Sequence, residues 1–499
     1  MKTTDPELGR MAKGASVNFI GAISRNFSGF VFVFLLAKML SAEEVGLFYL
    51  GANILMFATI IAISGVDVGL RRYISIAYGH GDAKAAWDYF STAAVLVFSL
   101  SMLLGVGLFA FADLLANAVF SKPQLADVIR LFSPYLVIYA LAELLLSVTQ
   151  GYKQMKYWVL CLDVANSILR IVFAGLAFYI GWSLYGVIAG YVLAILVSTA
   201  MAYRYFRRVM PEQPSEQREF RFRSLVTFSF PVALARLLNS GNGILETLFL
   251  GYFLTEVDVG VYTVALKIAV IANIILASFN TMFAPIISQL HSQGQMTELR
   301  RLFNCVTRWA FSLSLPVYLL VAWYSAPVSA LFGEQYTVGA TCIVILCIGQ
   351  LVNAVTGPSG NILLMSGYAL INLWTNLFGV LLSVLLIVLL VPQYGIDGCA
   401  FAVGAALAVT NVLRVLIAWR VLKIHPYSLA YWKPVVAGTI MVIAVGLLGP
   451  ARTVDMSVVY LLFASLLAIM GYGLLLLGFG LDESDRLVLA KIKTRVGKT

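Results

Sequence analysis

Apolar residues gather into stretches as long as the roughly 20-residue helix that crosses a hydrocarbon core of about 30 Å, and short polar segments separate them along the whole chain. Fourteen such stretches are present, near residues 14–40, 46–65, 88–112, 127–149, 156–180, 183–206, 225–251, 259–283, 304–325, 338–358, 366–391, 396–419, 433–450 and 456–480. The pattern predicts an all-α polytopic membrane protein of about 14 transmembrane helices. The stretch 338–358 is interrupted by Asn353, Gly357 and Pro358. The first stretch is too long for a signal-peptide h-region and lacks a small-residue cleavage site, so it is expected to stay in the membrane.

Composition strengthens this reading. Hydrophobic residues make up 61% of the chain and charged residues 12%, against about 45–50% and 25% in soluble domains. The net charge of +10 is compatible with nucleic-acid binding, but the placement of the charges argues against it. With the N-terminus in the cytoplasm, 25 of the 34 Lys and Arg fall in tails and loops on that side and four (Lys38, Lys122, Arg130, Arg452) on the other. Both termini are therefore expected in the cytoplasm, with no nucleic-acid partner. Clusters such as Arg71-Arg72, Arg204-Arg207-Arg208 and Arg218-Arg221-Arg223 suit topology and contact with anionic lipid. Capture of an anionic substrate at the cytoplasmic entrance is the other reading.

Enzymatic chemistry is hard to find. Cys161, Cys305, Cys342, Cys347 and Cys399 are scattered without metal or disulfide spacing, and His80, His291 and His425 lie far apart in predicted loops. The terminal "VGKT" lacks the first glycine of a phosphate-binding loop, because position 492 is Ile492, and no helix can follow it. External loops are too short for a glycosyl-transfer site. No enzyme, metal or cofactor is expected.

The chain contains an internal repeat. "LAKMLSAEEVGLFYL" (36–50) aligns with "LGYFLTEVDVGVYTV" (250–264), pairing Leu36/Leu250, Leu40/Leu254, Ser41/Thr255, Glu44/Asp258, Val45/Val259 and Gly46/Gly260. "QGYKQMKYW" (150–158) later aligns with "SGYALINLW" (366–374). Six spans separate equivalent positions, an even number, so the halves share one orientation and form a parallel repeat. The expected organisation is an N-lobe (1–206), a cytoplasmic linker (207–223), a C-lobe (224–424), two terminal helices (425–481) and a basic tail (482–499). Gly46 and Gly260 are expected where helices approach closely, tolerating alanine better than leucine.

Charge inside the spans is the candidate chemistry. Arg25, Glu143, Asp163, Arg170, Arg236, Glu246, Lys267 and Arg414 are each expensive in hydrocarbon, by about 2.5–3.5 kcal/mol on insertion scales, so they are expected to face a cavity or a partner. Asn18, Gly21, Ala22, Arg25, Ser28 and Gly29 share one helical face, as do Arg236, Asn239, Ser240, Gly243, Glu246 and Thr247. Under the repeat, Ala22, Arg25, Asn26 and Gly29 map onto Arg236, Asn239, Ser240 and Gly243. Tight helix packing explains such faces too, but a guanidinium needs several acceptors and the first span offers no acid. Asp163 and Arg170 lie about 10 Å apart along one helix and cannot pair directly. Arg414 is expected to snorkel to the cytoplasmic end of its span. A cavity lined by Arg25, Arg236 and Lys267, with Asn18, Asn239 and Asn242 around them, would hold an anion such as a pyrophosphate.

With these residues in place, "GLFYL", "GVDVGLRRYISIAYGHGD" with its weaker echo "APIISQLHSQGQ", "VPQYGIDGCAFA" and "LDESDRLVLAKIKTRVG", in this order and spacing, resemble the polysaccharide-export, Wzx-type flippases of the multidrug/oligosaccharidyl-lipid/polysaccharide transporter superfamily. The resemblance covers essentially the whole chain and implies the MATE-like fold: two six-helix lobes plus two C-terminal helices. It implies movement of an undecaprenyl-pyrophosphate-linked oligosaccharide, such as an O-antigen or exopolysaccharide repeat unit, across a bacterial inner membrane by alternating access. A polysaccharide polymerase and glycosyltransferases are the implied partners. A proton or sodium gradient or the membrane potential is the implied means of resetting the cycle, with Glu246 and Asp163 as candidate coupling acids. Three other readings stay open: a multidrug cation antiporter of the same superfamily, a lipid II flippase, and a membrane-embedded glycosyltransferase or polymerase.

Overall fold

A computed structural model describes residues 6–215, 217–448 and 457–480, with side chains described from Gly21 onward except at 239–242. Among the described residues twelve helices are long and apolar enough to cross a membrane. The helices are α1 (Pro6–Met39), α2 (Ala42–Ile63), α3 (Val66–His80), α4 (Ala83–Ala110), α5 (Leu125–Gly151), α6 (Asn166–Tyr179), α7 (Leu184–Val209), α8 (Phe222–Phe253), α9 (Glu256–Ala269), α10 (Asn273–Ser292), α11 (Met296–Trp323), α12 (Ala340–Thr356), α13 (Ala369–Leu422), α14 (Trp432–Leu448) and α15 (Val458–Gly478), joined by short helical turns. Two of the expected spans are merged in α13, whose backbone breaks at Gly395 (φ 58°, ψ −137°) just after Pro392. The expected interruption near Gly357 is also present: α12 stops there, at φ 59° and ψ −150°.

The chain divides into two compact units, Met1–Gly260 and Val261–Thr499. In the first, α5 is the most buried span and packs against α2, α3, α4 and α7. Its Phe132 meets Phe48 of α2 edge-on at 5.3 Å and Tyr191 of α7 at 5.9 Å. Tilted and edge-on rings of this kind add about 0.5–1.5 kcal/mol per pair beyond area burial, and this cluster ties α2, α5 and α7 together. In the second unit, α11 packs against α10, α12 and α14, and α12 meets α13 where a Cβ on Gly349 would lie 2.7 Å from Gly404 Cα.

The repeat has a physical counterpart at the start of α2 and α9. Glu44 N–H donates to Ser41 Oγ (3.2 Å) and Ser41 N–H to Glu44 Oε2 (3.0 Å), a reciprocal capping box. Thr255 and Asp258 form the same pair of bonds, at 3.3 and 3.1 Å. The first turns of these two helices touch: a Cβ on Gly46 would lie 1.8 Å from Glu256 O, and one on Gly260 would lie 2.1 Å from Ala42 O. Ala42 and Glu256 are themselves equivalent under the repeat, so the contact is reciprocal, as at an isologous interface.

All five cysteines are buried, which makes the orientation expected from loop charge testable by thiol labelling. Cysteines introduced at the exposed Glu43 and Glu334 should react with an impermeant maleimide outside intact spheroplasts, and those at the exposed Gly81 and Gln217 should not. Reversed labelling would invert the topology.

Candidate anion-binding pocket

The site begins at the break between α2 and α3. Ser64 and Gly65 are both left-handed (φ 47° and 69°), so α3 leaves α2 at once and starts with Asp67 in its first turn. Glycines flank this acid where α8 crosses: a Cβ on Gly65 would lie 2.7 Å from Ser229 O, and one on Gly69 would lie 2.5 Å from Ser229 Oγ. The close crossing brings Arg236, two turns beyond Ser229 on α8, onto the carboxylate. Arg236 donates to both oxygens of Asp67, at 3.2 and 2.8 Å, a bidentate pair. Arg71 donates to the same carboxylate at 2.7 Å and to Gln150 Oε1 at 2.8 Å. Asp67 is fully buried.

Arg25 finds its acid on another helix. Residues Val159–Ala165, ahead of α6, form a π-helical segment, a widened turn that recurs at functional sites. It presents Asp163 to α1, and Arg25 donates to Asp163 Oδ1 at 2.6 Å. Gly21, one turn earlier on α1, admits this segment, because a Cβ there would lie 2.6 Å from Asp163 Oδ2. The small face of the first span is therefore packing and polar site together. Asp163 is buried, whereas the Arg25 side chain is 54% exposed.

Arg170 lacks a carboxylate partner among the described residues. It donates to Tyr191 Oη (3.0 Å) and Ser167 Oγ (3.2 Å), while its guanidinium lies 5.1 Å from the Tyr191 ring centre and 5.7 Å from that of Phe32. Its Nε is buried without a hydrogen-bond partner. As the spacing on the helix required, it does not pair with Asp163.

Arg25, Arg170 and Arg236 line one cavity of about 380 Å³, together with Glu143, Asp163 and the tyrosines Tyr135, Tyr139 and Tyr191. Glu143 is buried beside Asp67 and Arg236, and its Oε2 has no hydrogen-bond partner. Three guanidiniums, two carboxyls and three tyrosines thus line one cavity, within the size range of small-molecule pockets.

The side chains of Asn18, Asn239 and Asn242 fall outside the described residues, as does the tail 482–499. Lys267 is half-buried on α9 and belongs to the second unit. Glu246 is buried on α8 and is not among the residues lining the cavity. Arg414 does not snorkel as expected: it is held inside the second unit by Asn411 Oδ1 at 2.9 Å, by Asn376 and by Thr375. Desolvation there is met by amides in place of water. Sequence reasoning missed Asp67, although it sits inside "GVDVGLRRY", because it lies outside the apolar stretches from which charges were collected. The tyrosines gave no signal, since aromatic residues make up 13% of the chain.

The family model described as "Polysaccharide biosynthesis protein" matches residues 11–291, more than half of the chain, and the MatE model matches residues 231–389. Among curated proteins, the chain is similar to one from Haloferax volcanii named "Probable low-salt glycan biosynthesis flippase Agl15", with 22% identity over 413 residues covering 80% of each chain. Among solved structures it is similar in fold to the lipid II flippase MurJ in an inward closed conformation (TM-score 0.70, 13% identity, 91% of this chain and 97% of that one). An inward-facing multidrug resistance MATE transporter also matches in fold (TM-score 0.65, 15% identity, 80% and 94%). From its sequence match and this fold, the chain belongs to the polysaccharide biosynthesis protein family, a flippase family of the multidrug/oligosaccharidyl-lipid/polysaccharide transporter superfamily.

Proposed function

We propose that this flippase moves an undecaprenyl-pyrophosphate-linked oligosaccharide across a bacterial inner membrane by alternating access, with the pyrophosphate bound at Arg25, Arg170 and Arg236. The observation that carries this reading is the single cavity into which these three guanidiniums project. A pyrophosphate offers several charged oxygens at the spacing of a guanidinium fork, and in a site of low dielectric such charge-assisted bonds are strong. Arg170 supplies N–H groups that no carboxylate among the described residues occupies. Arg25 and Arg236 are held by Asp163 and Asp67, so phosphate oxygens compete with carboxylates for them. An exchange of partners of this kind couples substrate arrival to release of Asp163, on the π-helical segment before α6, from α1. Tyr135, Tyr139 and Tyr191 offer rings and hydroxyls to sugar, and the prenyl chain stays in lipid.

A cation substrate fits this lining poorly, since guanidiniums outnumber carboxyls in it. In proteoliposomes loaded with the lipid-linked glycan, Arg170→Gln should lower translocation by about tenfold or more, the scale of one lost charge-assisted hydrogen bond of about 1.5–3 kcal/mol. Arg170→Lys should recover part of it, keeping charge without the fork. Wild-type rates in Arg170→Gln, with unchanged binding of undecaprenyl pyrophosphate, would remove the anion site from the mechanism.

A further inference from the structure

A second cavity, of about 860 Å³, opens where the segment 219–221 enters α8, and it is lined by Arg72, Tyr73, Tyr89, Arg221, Arg223 and Phe228 among others. We propose that it binds the phosphodiester headgroup of an anionic phospholipid, a site separate from the pocket above.

The cleft is built by a buried acid. Asp88 of α4, 1% exposed, accepts the Glu219 N–H at 2.9 Å and faces Arg221 at 3.5 Å, while Thr92 Oγ1 accepts the Arg221 N–H at 2.9 Å. These bonds pin the end of the linker to α4, and Tyr73 Oη adds a bond to Ser224 O at 3.1 Å. Aromatic rings shape the wall. Tyr73 stacks on Tyr89 at 4.4 Å and 8°, Arg72 lies 4.5 Å from the Phe228 ring centre, and Arg221 lies 5.3 Å from that of Tyr89.

The charges do not cancel. Asp88 faces Arg221, and Glu219 faces Lys84 at 3.4 Å and Arg221 at 3.6 Å. Arg72 and Arg223 have no carboxylate partner among the described residues, which leaves two cations over. The first turn of α8 has no side-chain cap, so its N–H groups and positive dipole end add to them.

Apolar surface continues from the cleft along α8. Phe222, Val226 and Phe230 recur every four residues and are exposed, and Phe220 stacks on Phe222 at 5.5 Å. A lipid would place its phosphate among the arginines and its acyl chains along this stripe, whereas free phosphate would use only the cations. Loop charge places this end of the helices at the cytoplasmic leaflet, where anionic lipids concentrate.

Native mass spectrometry of the full-length protein in detergent tests the site, with dioleoylphosphatidylglycerol or dioleoylphosphatidylcholine added at equal concentration. One phosphatidylglycerol per chain should persist at collision energies that remove phosphatidylcholine. Arg72→Gln with Arg223→Ala should lower that occupancy about tenfold, each surface cation being worth a few-fold in lipid affinity. Arg223→Ala alone, at an exposed side chain with no packing role, should lower it several-fold in a protein of wild-type thermal stability. Arg204→Ala with Arg207→Ala, exposed on α7, should leave it unchanged. Equal phosphatidylglycerol retention by the Arg72/Arg223 variant would remove the site, and displacement of the lipid by inorganic phosphate at the same concentration would reassign it to a free anion.

Discussion

Gly46→Ala and Gly260→Ala are each expected to destabilise the protein by more than the about 1–3 kcal/mol of ordinary overpacking. The methyl group on Gly46 would sit 1.8 Å from the Glu256 carbonyl oxygen, and that on Gly260 2.1 Å from the Ala42 carbonyl oxygen. Both obstacles are backbone, so no rotamer change makes room, and the two helices would have to separate. Capping boxes anchor both first turns and oppose that movement. The expectation from sequence, that alanine is tolerated better than leucine, therefore sharpens: alanine already fails. Thermal unfolding followed by size-exclusion chromatography in detergent checks this. A wild-type melting temperature in either variant would show that the helices do not cross at these glycines.

Asp67→Ala should destabilise the protein more than Arg236→Ala does, while Arg236→Ala should damage transport at normal stability. Without Asp67, Arg71 and Arg236 lose their shared counter-charge in a largely buried site, a change worth about 3–5 kcal/mol when a buried pair is broken. Without Arg236, Asp67 keeps its 2.7 Å bond to Arg71, so its charge stays compensated. The double variant Asp67→Ala/Arg236→Ala removes one charge of each sign and should recover much of the lost stability but none of the transport. Two measurements on the same four proteins, melting temperature and glycan flipping in proteoliposomes, separate the roles. Full flipping by Arg236→Ala would make the Asp67–Arg236 pair a structural clamp.

Much of the fold was legible because hydrophobic length is the constraint that lipid imposes most directly. The stretch ends at 391 and 396 bracket the break at Gly395, and Gly357 ends α12 where the interruption was expected. The site was legible only in part. Arg25 and Arg236 were found because a charge in an apolar run is conspicuous, and both line the cavity. Their pairings were not, because Asp163 and Asp67 reach them across helix packing, and spacing within one helix carries no information about its neighbours. Helix spacing excluded an Asp163–Arg170 pair, and the structure agrees: Asp163 serves Arg25, which leaves Arg170 to tyrosine and serine.

The π-helical segment Val159–Ala165 has a consequence for chain length. In an uninterrupted α-helix, side chains five residues apart point about 140° away from each other, yet Trp158 and Asp163 both line the cavity. The widened turn holds, in effect, one inserted residue that the helices on either side have absorbed. Excising a single residue there would let the backbone relax to ordinary α geometry with its hydrogen bonds intact. The loss would fall on the cavity, whose wall would be turned by about 100° on one side of the cut.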